Sequence, residues 1–510
     1  MKKDIETLIA EERADILQKY AAGRQGGVEI DPWEDGDYDI YKSVDRFGFL
    51  HEEELPPPSA QEEKLKHVET ERAEKWLKMM KKWDKYKTSD RMVKRVYKGI
   101  PLQVRGPVWS LMLDVDATKK ENEGKYEKMK HQAKLFSPEI KQIDLDINRT
   151  FRNHVMFMDR FGVKQQSLFH VLAAYSVYNT EVSYCQGMSQ IAALLLMFMN
   201  EEDAFWALTQ LLTDHRHGMH GFFVPGFPKL QRFQAHHDQV ITKLLPKLKK
   251  HLDKEQMSAG IYSTKWFMQC FIDRTPFTLT LRLWDIFLLE GEKLLTAMSF
   301  TVLKMHQKRL LQMSLEQLRD FLQEKISHTF FCSDDVTIQH LQVAMAQLRK
   351  MKFDLPPTGK PEELPLRPLG QELSAPLSPV EASRRRSRAD LSLHIISHQQ
   401  DSPDQSPYKD PKDLAAADEC APLPSPDPII IHTRMHLTPP GSPLAGPPPY
   451  QPMEDAHTSQ RVPRTFSAPV SMVTSTPSLA LTQSESSAAA EGSSLSADIY
   501  QDQNSIQTGP

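Results

Sequence analysis

Apolar residues recur at helical spacing from about residue 97 to about residue 350, and this periodicity is the strongest constraint on the fold. In the stretch SLFHVLAAYSVYN, apolar side chains fall at i, i+3, i+4, i+7 and i+10, namely Leu168, Val171, Leu172, Tyr175 and Tyr178. This spacing brings the side chains to one helix face, which can pack on a core. No run alternates between apolar and polar residues as a half-buried strand would. The sequence therefore predicts an all-α domain over residues 91–350, built from many short helices.

The residues before this domain are charged and favour helices. The stretch ETLIAEERADILQKY places Leu8, Ile9, Ile16 and Leu17 on a rough apolar stripe. A second stretch, EEKLKHVETERAEKWLKMMKKWDKYK, is typical of one long amphipathic helix. We therefore predict a helical N-terminal extension over residues 1–90.

The composition changes sharply after Asp354, where proline and serine become frequent. The chain has 36 prolines against 21 glycines, and stretches such as LSAPLSPVEASRRRSRADLS and LTPPGSPLAGPPPYQP lie beyond this point. Such segments bury too little apolar surface to offset the entropy lost on ordering. Residues 355–510 are therefore predicted to be a disordered tail.

Charge and cysteine content exclude several classes of protein. The net charge of −4 gives no general attraction to nucleic acid. The cysteines are far apart, at Cys185, Cys270, Cys332 and Cys420. This scatter favours reduced thiols in the cytoplasm. The N-terminus carries Asp4 and Glu6 where a signal peptide would be apolar, and the apolar run Ile191–Met199 is about half the ~20 residues that span a bilayer. We expect an intracellular soluble protein with no transmembrane segment.

Two stretches combine apolar anchors with charge. In YKGIPLQVRGPVWSLML, Trp109 suits a core anchor and Arg105 a structural ion-pair partner. In IKQIDLDINRTFRNH, Ile143, Asp146 and Arg149 recur every three residues, so Ile143 can seat the helix while Asp146 holds the guanidinium of Arg149. Taken alone, such a pair is ordinary on a solvated helix face.

The stretch NTEVSYCQGMSQIAALLLMFMNEED places a glutamine and a glycine at the head of an apolar helix. Gln186 cannot act as an acid or a base, but its carboxamide can donate and accept hydrogen bonds at once and so orient a water. Gly187 permits a positive φ. An alternative makes Cys185 a nucleophile with His154 or His170 as its base, but no spacing brings either histidine near the thiol.

The histidine-rich stretch DHRHGMHGFF, with His236 and His237 nearby, raises the question of a metal. It has no cysteine partner, no HExxH and no carboxylate at a recognisable ligand spacing. We therefore predict no metal site.

In order along the chain, these motifs resemble the signature series of the TBC domain, the domain of Rab GTPase-activating proteins. The series comprises RGxxW at Arg105–Trp109, IxxDxxR at Ile143–Arg149, YxQ at Tyr184–Gln186, and LRLWDIFLLEG at Leu281–Gly291. The resemblance covers about residues 97–315, with a motif core at 99–291. The segments DPWEDGDYDIYKSVDRFGFLHEEELP and VKQQSLFHVLAAYSVYNTEV are most similar to the RN-tre subfamily, which is related to the N-terminus of a ubiquitin-specific protease.

The resemblance implies a GTPase activator that supplies residues in trans to a Rab, not an enzyme with its own substrate. Arg149 would be the arginine finger and Gln186 the glutamine finger. Asp146 would orient the arginine, while Tyr184 and Gly187 would shape the loop. Arg105 and Trp109 would be supporting residues. GTP and Mg²⁺ would arrive with the Rab, since this chain has no GxxxxGK[ST] loop and needs no cofactor of its own.

Two positions depart from the family's usual pattern. Arg152 follows RTF where the family often has proline, which offers a second arginine close to Arg149. Ser183 precedes the YxQ tyrosine where the family often has glycine, which would stiffen the loop. The alternative to an active protein is a catalytically silent TBC-fold adaptor that binds a Rab or a signalling partner.

The tail contains short motifs for docking. PPPY, with Pro447, Pro448 and Tyr450, fits WW domains. RTFSAP presents Ser467 as a phosphoserine site for 14-3-3 proteins, PLRP at 365–368 is a bare SH3-type motif, and several Ser-Pro and Thr-Pro sites predict a phosphoprotein. We expect a cytoplasmic protein that meets endosomal or Golgi vesicles peripherally through its Rab, with a role in endocytosis.

Overall fold

The computed structural model describes residues 5–31, 34, 43–53, 55–56, 60–330 and 332–374. The first helices are α1 (Ile5–Ala22), α2 (Ala60–Met80), α3 (Trp83–Tyr86), α4 (Asp90–Tyr97), α5 (Leu102–Met112), α6 (Val115–Glu121), α7 (Lys125–Phe136), α8 (Ile140–Arg149) and α9 (Val163–Tyr178). The remainder are α10 (Met188–Leu196), α11 (Glu201–Thr213), α12 (Pro228–Leu244), α13 (Pro246–Lys254), α14 (Ala259–Met268), α15 (Phe277–Glu290), α16 (Lys293–Leu310), α17 (Leu315–Asp320) and α18 (Asp334–Lys350). The predicted all-α fold is confirmed.

A two-stranded hairpin is the one sheet in the described part of the chain. Its strands, β1 (Ser43–Val44) and β2 (Leu50–His51), are antiparallel. One carboxylate oxygen of Asp45 accepts hydrogen bonds from the backbone N–H groups of Phe47 and Phe49 at 2.8 and 2.9 Å, which closes the turn. The hairpin packs beside the segment after α8, where the N–H of Leu50 donates to the carbonyl of Asn153 at 2.8 Å.

Helix α9 lies at the centre of the domain and packs against α1, α7, α8, α10 and α11. The face predicted from its spacing is buried, from Leu168 to Tyr178. Ala173, Ala174 and Val177, which lie off that face, are buried as well. The helix is therefore enclosed on all sides along its second half, because neighbouring helices cover both faces.

Helix α1 is part of the domain, although the sequence assigns it to a separate extension. Leu8 and Ile9 of the predicted stripe are 49% and 59% exposed, whereas Ile16 and Tyr20 are buried. The ring of Tyr20 stacks on that of Phe169 with centroids 3.9 Å apart, and its hydroxyl accepts a hydrogen bond from the buried Arg160 at 3.0 Å. The prediction missed this anchor because tyrosine was not counted in the stripe.

Residues 355–374, here called the C-terminal strap, pack along the domain, which corrects the prediction that disorder begins at 355. Glu363 is buried and forms an ion pair with Arg232 of α12. The backbone N–H of Leu366 donates to the carboxylate of Glu181 at 2.9 Å, and that of Gly370 donates to the carbonyl of Tyr178 at 2.7 Å.

The strap is held by backbone N–H groups, by ion pairs of Glu363 and Glu372, and by the partly buried Leu369 and Leu373. These contacts reach distant segments of the chain, so the composition of the strap alone does not reveal that it is ordered. Residues 375–510 lie outside the described residues. The predicted tail motifs, with Pro447, Pro448, Tyr450 and Ser467, therefore stay predictions. Among the described helices, none combines the length and apolar composition required to cross a membrane.

We predict that a chain ending at residue 354 is less stable than the full chain by about 2–4 kcal/mol. Its truncation removes the partner of Arg232, and breaking a largely buried ion pair and its hydrogen bonds costs free energy of this order. Urea denaturation gives the free energies of unfolding. A chain ending at residue 374 is the control and should match the full chain, so equal midpoints for all three would show that the strap contributes nothing.

Candidate functional site

The site is built around one buried carboxylate, that of Asp146, which is 1% exposed. Its Oδ1 accepts a hydrogen bond from Nη2 of Arg149 at 2.5 Å. Its Oδ2 accepts one from the hydroxyl of Tyr184 at 2.5 Å. One carboxylate therefore joins the IxxDxxR stretch on α8 to the YxQ stretch before α10.

Helix α8 has a buried face and an exposed end. Ile143 and Ile147 are buried in the core, which seats the helix, while Arg149 in the last turn has a side chain that is 59% exposed. Thr150, directly after the helix, donates to the carbonyl of Asp146 at 2.6 Å and bonds the hydroxyl of Ser189 at 2.9 Å. The end of α8 is thus fixed to the start of α10, while the guanidinium remains accessible.

The loop between α9 and α10 buries its tyrosine and exposes its glutamine. Asn179, at the end of α9, accepts hydrogen bonds on its side-chain oxygen from the N–H groups of Glu181 and Val182. Tyr184 is buried and Gln186 is exposed. Gly187 directly precedes α10 and has a φ of 102°, a left-handed conformation that glycine adopts without a Cβ clash.

Burial raises the pKa of the Tyr184 hydroxyl well above its ordinary value, and the negative charge of Asp146 raises it further. The hydroxyl therefore stays protonated and remains a donor to Asp146. The loop that carries Gln186 is in this way bonded to the helix that carries Arg149.

Charged side chains of both signs lie near Lys265, which is within electrostatic range of Arg149. Burial lowers the pKa of Lys265 on α14, and the positive charges of Arg274 and Arg149 lower it further. The carboxylates of Glu324 and Asp273 oppose that change. These neighbours come from segments more than 100 residues away in the chain, and no motif in the sequence indicated them.

A second buried cluster explains the RGxxW stretch. The carboxylate of Asp285 on α15 accepts hydrogen bonds from Nε of Arg105 at 3.1 Å and from Nε1 of Trp109 at 2.8 Å. Arg105 is 4% exposed and Trp109 is fully buried. Burial raises the pKa of Asp285, and Arg105 opposes the change. Both predicted residues are therefore placed inside the protein, where they join α5 to α15.

Sequence reasoning missed Asp285 as the partner in this cluster. It lies within LRLWDIFLLEG, a stretch whose apolar residues dominate the pattern. A lone aspartate on an apolar helix face is the signal that could have identified it, since a buried charge needs a partner.

The structure separates the two candidate arginines. Nη2 of Arg152 donates to the backbone carbonyl of Glu34 at 3.2 Å, whereas Arg149 is held by Asp146. Phe151 between them has a φ of 47°, so the chain turns sharply at this point.

The two histidines considered as bases for Cys185 are bonded elsewhere. The ring nitrogens of His154 contact the carbonyl of Phe47 at 2.8 Å and the N–H of Met156 at 3.1 Å. His170 contacts Glu201 at 3.3 Å. This geometry gives no support to a thiol nucleophile.

The histidine-rich stretch contributes to the core. His220 bonds Asn179 at 3.0 Å, and Nε2 of His237 bonds the hydroxyl of Tyr262 at 2.9 Å. Burial lowers the pKa of His220 to about 4 and that of His237 to about 3. Within the described residues, no three histidine, cysteine or carboxylate side chains are grouped as metal ligands.

Comparisons with known proteins agree with the motif series. Residues 102–311 match the family model described as the Rab-GTPase-TBC domain. Over 274 residues the chain is 33% identical to TBC1 domain family member 10A of Mus musculus, and the aligned region covers 52% of each protein. The chain thus spans about half the length of this curated relative.

Two solved domain structures align with part of this chain. The flagellar RabGAP TBC domain of Chlamydomonas is 24% identical, covers 59% of this chain and 99% of its own, and gives a TM-score of 0.46. The Ypt/Rab-GAP domain of Gyp1p is 19% identical, covers 54% and 99%, and gives 0.44.

We predict that Ser183→Gly raises the free energy of unfolding by about 1 kcal/mol. Ser183 has a φ of 55°, and its buried hydroxyl has no hydrogen-bond partner among the described residues. Glycine removes the Cβ clash and the unsatisfied hydroxyl, and these gains exceed its greater loss of backbone entropy. Urea denaturation measures the change. Ser183→Ala removes only the hydroxyl, so its free energy of unfolding should rise by less. If Ser183→Gly is less stable than Ser183→Ala, the backbone at this position is not strained.

We predict that His237 makes the fold less stable as the pH falls from 6.5. Its folded pKa of about 3 is below the ordinary histidine value of 6.5, so in this window the unfolded chain binds a proton that the folded chain does not. Each such group lowers the free energy of unfolding by up to ~1.4 kcal/mol per pH unit. Denaturation at pH 7, 6 and 5 should show a shallower slope for His237→Gln. The exposed His340→Gln is the control and should keep the wild-type slope. A slope unchanged in His237→Gln would contradict the assignment.

Proposed function

We propose that this chain, whose residues 102–311 match the Rab-GTPase-TBC domain, is a GTPase-activating protein for a Rab-family GTPase. It would accelerate GTP hydrolysis in trans by supplying an arginine and a glutamine. The observation that carries the proposal is that one buried carboxylate, that of Asp146, bonds both the exposed Arg149 and Tyr184, which lies two residues before the exposed Gln186.

Arg149 suits the neutralisation of charge that develops on phosphate oxygens. A guanidinium is always charged and donates hydrogen bonds in a rigid fork. Asp146 restricts the side chain at one nitrogen, and the side chain as a whole is 59% exposed. An arginine finger contributes ~10³–10⁵ in rate, which corresponds to ~4–7 kcal/mol of barrier.

Gln186 suits the orientation of the attacking water. A carboxamide can accept from the water and donate to a phosphate oxygen at once. The side chain is exposed, while Tyr184 on one side and Met188 on the other are buried and fix the backbone. Such preorganisation reduces the reorganisation needed in the transition state.

The local charge also supports a phosphate-bearing partner. Arg274 and Arg149 are both close enough to Lys265 to interact with it electrostatically. Positively charged side chains near a site attract an anionic ligand and speed its association. GTP and Mg²⁺ would belong to the partner GTPase. The likeness of the flanking segments to the RN-tre subfamily extends the proposal to endosomal or Golgi vesicle traffic.

Single-turnover GTP hydrolysis on a panel of GTP-loaded Rab proteins tests this function. We expect the wild type to accelerate at least one Rab. Arg149→Ala should lower that rate by 10³–10⁵-fold, because the transition-state charge loses its neutralising group. Gln186→Ala should lower it by a factor of about 10² or more, because a preorganised donor is lost.

Arg152→Ala is the matched control, since it removes an arginine three residues away that is bonded to Glu34. It should keep the wild-type rate. If the wild type binds GTP-loaded Rabs but accelerates none, the chain is an adaptor. If Arg152→Ala loses the rate and Arg149→Ala keeps it, the assignment of the finger is wrong.

A further inference from the structure

Gln269 reaches the turn that carries Gln186 from a distant part of the chain. It directly follows α14, is 5% exposed, and donates a hydrogen bond from Nε2 to the carbonyl of Gly187 at 3.4 Å. A Cβ on Gly187 would lie 3.1 Å from the same nitrogen, so the turn and the carboxamide are in close contact.

The backbone after Gln269 is held in an unusual conformation. Cys270, Phe271 and Asp273 have φ values of 45°, 63° and 59°, and none is glycine. Cys270 and Phe271 are buried, and the Phe271 ring packs on Trp266 with centroids 5.5 Å apart. Left-handed residues persist where the surrounding structure fixes them, and they are concentrated at functional sites. The packing therefore holds the chain at Gln269 in one arrangement.

Packing alone does not account for a glutamine at this position. Its Oε1 is buried and has no hydrogen-bond partner within the described residues. Leaving a buried acceptor unsatisfied costs free energy, whereas methionine fills a similar volume with no polar atom to satisfy. The polar group that does make a contact is Nε2, and its contact is the turn at Gly187.

We propose that Gln269 is a positioning residue for the glutamine finger. Tyr184, bonded to Asp146, anchors the loop two residues before Gln186, and Gln269 anchors it one residue after. With both anchors in place, the backbone on each side of Gln186 is fixed and its carboxamide is directed outward. Gln269 acts through Gln186 and does not touch the nucleotide. The inference rests on the proposed GTPase-activating function.

Gln269→Met tests the proposal by keeping the size of the side chain and removing the donor. On the Rab that the wild type activates best, we expect kcat to fall by ~10–100-fold, because a small misplacement of a catalytic group has effects of this size. KM for the GTP-loaded Rab should stay within about twofold. Gln323→Met is the matched control. Gln323 also donates to a backbone carbonyl, that of Ile261 in α14, but this bond is not at the turn that contains Gln186 and Gly187. It should keep the wild-type kcat.

A double mutant separates positioning from a general loss of structure. If Gln269 acts through Gln186, adding Gln269→Met to Gln186→Ala should leave kcat within about twofold, since the two effects are not additive. A further 10-fold fall in that background would overturn the proposal, as would an unchanged kcat in the single variant.

Hydrogen exchange tests the anchor without any GTPase. We expect the backbone amides of Gly187 and Met188 to exchange about 10-fold faster in Gln269→Met, while amides in α9 keep their wild-type rates. Should no Rab be activated by the wild type, the proposed function fails, and this measurement still decides whether Gln269 holds the turn. Unchanged exchange at both amides would overturn the anchor.

Discussion

The architecture of the site depends on the buried carboxylate of Asp146. A charge removed from water must be compensated by partners, and here the compensation is divided between the guanidinium of Arg149 and the hydroxyl of Tyr184. Asp146 and Tyr184 are 38 residues apart in the sequence. Because the buried carboxylate needs hydrogen-bond donors, the segments that carry these two residues are held together in one geometry. The same interaction therefore stabilises the fold and links the two segments that carry the exposed candidate fingers, Arg149 and Gln186.

The same physical solution occurs a second time in the domain. Asp285 is buried and receives hydrogen bonds from Arg105, from Trp109 and from the backbone N–H of Ile100. The two clusters differ in the exposure of their arginine: the side chain of Arg105 is covered, whereas that of Arg149 is open to solvent. Equivalent residue types can therefore serve packing in one place and be available for chemistry in another.

Local patterns were sufficient to predict the helices and the i,i+3 relation of Asp146 to Arg149. The spacing in α9 identified its buried residues, because one helix face is determined by residues close together in the sequence. Contacts between segments that are distant in the sequence could not be predicted from local spacing. Tyr184 as a partner of Asp146, Asp285 as a partner of Arg105, and Gln269 beneath Gly187 each depend on tertiary packing. The left-handed backbone at Ser183 was also hidden, since serine seldom signals that conformation.

The C-terminal strap has a consequence for how the domain is bounded. Leu366 and Gly370 bond the carboxylate of Glu181 and the end of α9, immediately before the loop that presents Gln186. Tyr20 of α1 fills a space against Phe169 on the same central helix. Both supports lie outside residues 102–311, the region that matches the Rab-GTPase-TBC family model. A fragment limited to residues 102–311 would keep every motif residue but would lack the C-terminal strap and α1. It would therefore lose contacts that support the central helix α9 and the loop after it.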